Sequence, residues 1–259
     1  MRLLVSLRAN KKWVEQNEMH NEEVEVRLAI MQPYFLPYIG YWQLMAAVDV
    51  FVVYDNIKYT KKGWINRNRF LLNGKDAVFT LPLRKGSDSL HVNQRQLADT
   101  FDREDLIKRF REAYRKAPEF HTFMPFLEDL IRFSSNNLFE YILNSIYRIC
   151  EFLGIKTKVI ISSTIDCDHS LKSSDRVHAI CKALCADTYI NPIGGTELYS
   201  KEDFNDKGIT LRFLQPALAE YPQEAIDFVS WLSITDVLFF NPVERTRRLV
   251  TDPDKITLS

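Results

Sequence analysis

Val26-Arg-Leu-Ala-Ile-Met31, Gln32-Pro-Tyr-Phe-Leu-Pro-Tyr-Ile-Gly-Tyr41, Trp42-Gln-Leu-Met-Ala-Ala47 and Val50-Phe-Val-Val-Tyr54 form the stretch that decides the fold. Val26–Met31 reads as a buried strand that ends at Gln32-Pro33. Pro33 and Pro37 then force a loop, because proline supplies no donor and restricts the residue before it. Gly40–Ala47 reads as a helix with Trp42, Met45 and Ala46 on its apolar face. Val50–Tyr54 is a continuous apolar run, the pattern of a strand covered on both faces in a parallel sheet. Strand, loop, helix and strand make a βαβ unit.

Outward from this unit, Asn73-Gly74 lies between Asn68–Leu72 and Ala77–Leu83, a hairpin signal. Glu104–Lys116 has helical spacing that stops near Pro118, and residues 122 to 153 read as one or two amphipathic helices closed by Gly154. Strands are expected at Lys158–Ile161, Asp187–Ile190 and Ile209–Phe213, and a helix at Ser173–Cys185 with Ser173 or Ser174 as its N-cap. The expected architecture is α/β, with a mostly parallel sheet and a helical subdomain in the middle. A nucleotidyltransferase or HUP-like arrangement is one option. Residues 1–24 read as a peripheral extension. Residues 25–259 read as a single domain with helical regions at about 103–153 and about 221–250.

The chain has 259 residues, 34 Lys+Arg against 34 Asp+Glu, 46% hydrophobic and 26% charged residues. This excludes a disordered chain, a collagen-like repeat and a disulfide scaffold. Zero net charge argues against broad capture of nucleic acid. No apolar run reaches the roughly 18 residues of a membrane span, and the N-terminus lacks the pattern of a signal peptide. Cys150, Cys167, Cys181 and Cys185 read as free thiols in a reducing cytoplasm. Cys181 and Cys185 share a helix face without any CxxC, and Asp166-Cys-Asp-His169 is an extended run whose side chains alternate, so no metal site is assigned.

Two segments concentrate chemistry. The first, Gln32–Tyr41, joins strand to helix where ligands sit in open α/β folds. Gln32, Tyr34, Tyr38 and Tyr41 offer polar groups there, and Gly40 is expected to let a phosphate approach the helix N-terminus. Tyr38-Ile-Gly-Tyr41 also occupies the place of the His-x-Gly-His signature of nucleotidyltransferase folds, an analogy of position with tyrosine in place of the cationic side chain. The second segment, Asp55–Arg69, follows the second strand. Asp55 is a candidate general base and Tyr38 and Lys58 are further catalytic candidates. Lys58, Lys62, Arg67 and Arg69 can clamp a diphosphate or carboxylate, with Trp64, Asn66 and Asn68 beside a base or sugar. RNA is the lesser reading of such a patch. Gly194-Gly195 is a candidate anion nest. Ser233 and Asp236 are spaced to share one helix face. No GxSxG, HExxH, Walker loop or GxGxxG occurs, which sets aside serine hydrolases, zincins and the usual dinucleotide enzymes.

Taken together, Ile30–Tyr41, Asp49–Asp55 and Lys62–Asn68 resemble the WbqC-like protein family, with further likeness at Thr188-Tyr189, Gly194-Gly195, Tyr199, Tyr221-Pro-Gln223 and Leu232–Leu238. The resemblance spans about residues 26 to 240. It departs at Pro242, where the family tends to have glycine. It implies a cytoplasmic transferase of bacterial surface-polysaccharide biosynthesis. The implied reaction is acyl or aminoacyl (glycyl) transfer to an amino sugar carried on a nucleotide, with a nucleotide or activated acyl donor as cofactor. Nucleotidyl transfer or adenylate-forming ligation is an alternative, and a non-catalytic ligand-binding or scaffold protein is another. The expected partner is a small molecule, a nucleotide sugar. The sequence leaves the oligomeric state open.

Overall fold

The computed structural model describes residues 25–252 and 257–259; the expected extension at 1–24 lies outside them. The chain runs β1 (Arg27–Met31), α1 (Ile39–Ala46), β2 (Val50–Val53), a hairpin of β3 (Arg67–Leu72) and β4 (Lys75–Thr80), then α2 (Arg103–Tyr114), α3 (Phe120–Ile131) and α4 (Leu138–Leu153). It continues through β5 (Lys158–Ile161), α5 (Ser173–Ala183), β6 (Thr188–Pro192), α6 (Lys201–Asn205), β7 (Thr210–Gln215), α7 (Ile234–Phe240), α8 (Val243–Thr251) and β8 (Thr257–Leu258).

Six strands form one sheet in the order β5-β2-β1-β6-β7-β8. Five are parallel and β8 joins antiparallel at one edge. Numbered among themselves, the parallel strands run 3-2-1-4-5, the doubly wound order in which the chain reverses direction beside the first strand. Strand alternation feeds two cores. Ala29, Phe51, Val53, Ile190 and Leu214 face one, with α1, α2, α3, α4, α7, α8 and the hairpin. Leu28, Ile30, Val50, Val52, Ile160, Tyr189, Leu211 and Phe213 face the other, with α5 and Phe204 of α6. Both faces are covered, which is why β2 is apolar at every position.

The Asn73-Gly74 turn has positive φ at both residues (52° and 75°), matching the right-handed twist of the hairpin. Gly154 caps α4 in the left-handed region. Two expectations need correction. Residues 221–233 are not helical. Pro222 has no N–H to give, and the Gln223 amide closes a loop by donating to Val229 O and accepting from Val229 N. α5 is capped by neither serine: Lys172 is its N-cap, no side chain bonds the first turn, and Ser173 sits at φ 49°.

Candidate substrate cavity

Three distant segments are sewn together beyond the end of β1. The loop after β1 is pinned by Phe35 N donating to Ile65 O (3.0 Å) and by the Asn68 amide donating to Leu36 O (2.8 Å). The start of α7 is pinned by Ser233 N donating to Arg69 O (2.8 Å), Ser233 Oγ donating to Leu36 O (2.7 Å) and Ile234 N donating to Pro37 O (2.8 Å). Leu36 is fully buried at φ 47°, a conformation that a leucine holds only when its surroundings over-determine it.

Where these segments part they leave a cavity of about 260 Å³ lined by Tyr34, Pro37, Tyr38, Trp64, Asn68, Arg69 and Trp231. The Tyr38 and Trp231 rings lie 5.1 Å apart. The Trp64 ring carries two guanidinium groups, Arg67 at 5.1 Å and Arg69 at 5.9 Å. Trp64 and Trp231 are 43% and 44% exposed, so two large aromatic faces stand at the mouth in water. Arg69 is oriented by Asp76 (3.0 Å) and by the Trp231 carbonyl (3.2 Å). Burial raises the Tyr34 and Tyr38 hydroxyls above their ordinary range, so both are protonated donors at neutral pH.

Tyr34, Tyr38, Trp64, Asn68 and Arg69, singled out in two sequence segments, therefore share one cavity. Trp231 and Pro37 complete it. Trp231 carried only a weak signal in sequence, an aromatic residue ahead of Leu-Ser-Ile-Thr. Its backbone is at φ 62°, which no sequence pattern reveals.

The other singled-out residues lie elsewhere or are engaged. Asp55 is 2% exposed, and its carboxylate accepts from Ser163 N (2.8 Å), Ser163 Oγ (2.6 Å) and Asn93 Nδ2 (2.8 Å). Tyr41 is buried and donates to Gln32 O (3.1 Å), while the Gln32 side chain meets the Tyr34 hydroxyl at 3.4 Å. Asn66 accepts from Tyr59 and donates to Leu81 O. Arg67 donates to the carbonyls of Gly63 and Lys62. Lys58 and Lys62 are exposed outside the cavity lining, Lys62 at φ 65°. Gly40 offers no room to a phosphate: a Cβ there would lie 2.4 Å from the Tyr38 ring and 2.7 Å from Pro216. The glycine serves close packing of Tyr38 over the helix start. Gly194 is exposed, and Gly195 is buried under the Asn191 amide, which would lie 1.8 Å from an added Cβ. Ser233 and Asp236 are fully buried. Among the described residues no group of three or more His, Cys, Asp or Glu is placed to hold a metal ion, and no helix is long and apolar enough to cross a membrane.

The sheet order, the helices on both faces and the loop-built aromatic cavity define a doubly wound α/β protein. Its family is shown by sequence: residues 32–248 match the WbqC-like protein family, and the chain belongs to it. It is also similar to an uncharacterized protein of Mycobacterium tuberculosis, Rv1507c, with 26% identity over 220 residues covering 82% of this chain and 93% of that protein. No solved structure matches.

Proposed function

We propose that the protein is a transferase of bacterial surface-polysaccharide biosynthesis that seats a sugar ring in the cavity walled by the paired Tyr38 and Trp231 rings with Tyr34 and Trp64. The group transferred is acyl or aminoacyl (glycyl), and the acceptor is an amino substituent of a nucleotide-linked sugar. The observation that carries this reading is the lining itself: four aromatic rings, one guanidinium and one carboxamide around about 260 Å³. A sugar ring has apolar C–H faces and a polar rim. Aromatic faces suit the first, and the Arg69 fork and the Tyr34 and Tyr38 hydroxyls suit the second. The volume lies just under the usual range for drug-sized ligands of about 300–1,000 Å³, which fits the sugar inside and the nucleotide outside. Lys58, Lys62 and Arg67, on the adjoining segment, are assigned to its phosphates. Tyr38, held protonated, is the donor assigned to the oxyanion of the transfer step. Asp55 already accepts three hydrogen bonds, so its assigned role is to hold the loop after β2 against β5 rather than to act as general base.

Thermal unfolding in the presence of nucleotide-linked amino sugars, plain nucleotides and acyl-CoA tests this. A native-state ligand at a hundredfold excess over its Kd adds about 2.7 kcal/mol, so the amino-sugar nucleotides should raise Tm by several degrees. Trp231→Ala should abolish the rise. Absence of a shift with every compound overturns the proposal. A second reading, a non-catalytic sugar-binding module, is favoured by the engaged Asp55 carboxylate. It predicts the same Tm shift with no transfer of label from an acyl donor. Nucleotidyl transfer suits the 3-2-1-4-5 order. It is disfavoured by the filled space over Gly40 and the engaged Tyr41 hydroxyl, so no ATP- or CTP-dependent release of pyrophosphate is expected.

A further inference from the structure

Arg176, in the first turn of α5, is 8% exposed and has no carboxylate partner among the described residues. Arg27 meets Asp49 at the surface, as Arg69 meets Asp76, Arg132 meets Glu104 and Arg148 meets Asp129. Arg95, 7% exposed, shares with Arg176 a buried setting without an ion-paired acid among the described residues, but its side chain donates to two loop carbonyls. Arg176 instead donates weakly, at 3.4 Å, to Asn56 O and to His169 Nδ1, and its Nε–H has no acceptor. Its guanidinium lies 4.7 Å from the centre of the Tyr54 ring, which fixes its plane. Burying a cation without an anion is expensive, by several kcal/mol even after relaxation. The groups it meets are neutral acceptors, a backbone carbonyl and an imidazole. His169 Nε2 lies 3.0 Å from Ile165 O, which makes it the protonated nitrogen and leaves Nδ1 as an acceptor facing Arg176 and the Asn56 amide (3.2 Å). The Asn56 amide is held in that sense by Ser162 Oγ, which donates to its Oδ1 (2.9 Å). Acids of the adjoining segments are engaged elsewhere: Asp55 accepts from Ser163 and Asn93, Asp168 accepts from Ser170, and Asp175 faces Lys207.

These groups sit at the carboxyl edge of the sheet, with Tyr54 and Asn56 following β2, His169 following β5 and the uncapped start of α5 beside them. We propose that this is a phosphate-binding site, with Arg176 as its anchor, the Asn56 amide and Tyr54 hydroxyl as further donors, and the free N–H groups of the first turn of α5 completing the cradle. Donors arriving from a side-chain fork, an amide, a phenol and a helix end suit the several oxygens of a phosphate. This site stands independently of the reading of the aromatic cavity.

Calorimetric titration of the full chain with inorganic phosphate, pyrophosphate and UDP tests it, the three probes separating free phosphate from a nucleotide source. At least one should bind saturably, Arg176→Met should weaken that binding tenfold or more, and Lys108→Ala, at an exposed position of α2, should leave it unchanged. Asn56→Asp places a carboxylate beside His169 and Arg176; it should abolish phosphate binding and raise Tm by supplying the missing countercharge. The proposal is overturned if no probe saturates up to about 10 mM, a concentration that reaches even millimolar affinities. It is equally overturned if either Arg176→Met or Asn56→Asp keeps the affinity of the unsubstituted protein.

Discussion

Trp231 holds φ at 62° with a ring that is 44% exposed. For a bulky residue this conformation costs of order 1–3 kcal/mol, and the half-solvated ring returns little burial energy. Glycine adopts the same φ freely. Trp231→Gly should therefore keep or raise Tm while removing the cavity wall that packs against Tyr38, so that stabilisation by an amino-sugar nucleotide disappears. A variant that loses stability and keeps the ligand-induced shift would show that the ring is there for packing. Asp236 is the second telling residue. It accepts from Tyr114 (2.9 Å), Tyr221 (2.7 Å) and Gln223 (2.6 Å), and burial pushes its carboxyl up to about 6 despite these donors. A carboxyl raised above its unfolded value contributes stability below the unfolded pKa and loses it as pH climbs through the folded one. The window here runs from about 4 to about 6, and the loss is about 3 kcal/mol for a shift of roughly two units. Asn cannot titrate. The stability of the unsubstituted protein relative to Asp236→Asn, measured by urea unfolding at pH 4.5 and pH 7.5, should therefore fall as pH rises. An advantage that grows with pH would mean that the three donors outweigh desolvation.

At the scale of elements, the junction between the β1 loop and α1 is the tightest packing beside the cavity. Gly40→Ala must push its new methyl into the Tyr38 ring or Pro216. Pro216 is rigid, so the Tyr38 ring has to yield. A stability loss of about 1–3 kcal/mol is expected from such overpacking, together with weaker sugar binding because the ring shifts relative to Trp231. Unchanged binding in a destabilised Gly40→Ala protein would separate the junction from the site. The same junction marks how far sequence reading reaches. Strands β1, β2, β5, β6 and β7, the Asn73-Gly74 hairpin and the stop at Gly154 were legible because each rests on local rules: alternation, β-branching, positive φ. Residues 221–233 were not. Their apolar content imitates a helix, and only a long-range carboxylate, Asp236, together with the Gln223–Val229 clasp explains why they form a loop. The grouping of Tyr34 and Tyr38 with Trp64, Asn68 and Arg69 was legible because topology sends both segments to one edge of the sheet. Trp231 was not, since its segment returns from the far end of the chain. Gly40 misled for a related reason. Sequence shows that a glycine permits close approach, and only coordinates show what approaches.

At the scale of the whole molecule, the helical segment between β4 and β5 looks detachable on paper but lacks a core of its own. Phe110 of α2, Phe123 of α3, Ile142 and Ile146 of α4 and Phe70 and Phe79 of the hairpin join one continuous apolar cluster with Ala29 and Phe51 of the sheet, Trp42 of α1 and Phe239 of α7. Tyr114 stacks on Phe239 at 4.2 Å and reaches Asp236, so the insertion is tied to the C-terminal helices by both burial and a hydrogen bond. Exposing one partner would expose the other. Chains above about 150 residues often unfold in stages, but both cores here share the strands of one sheet, and the insertion shares its cluster with that sheet, which removes the usual cause. Unfolding should accordingly be one cooperative transition, with far-ultraviolet circular dichroism and tryptophan fluorescence giving coincident midpoints in urea. Trp42 is fully buried beside the sheet, whereas Trp64 and Trp231 stand at the cavity mouth. Fluorescence would therefore change early if the cavity loops came loose before the core. Two separated transitions, or a fluorescence midpoint well below the dichroism midpoint, would show that the loops carrying the aromatic walls form an independent, weaker unit. In that case the cavity would be assembled by its ligand rather than waiting for it.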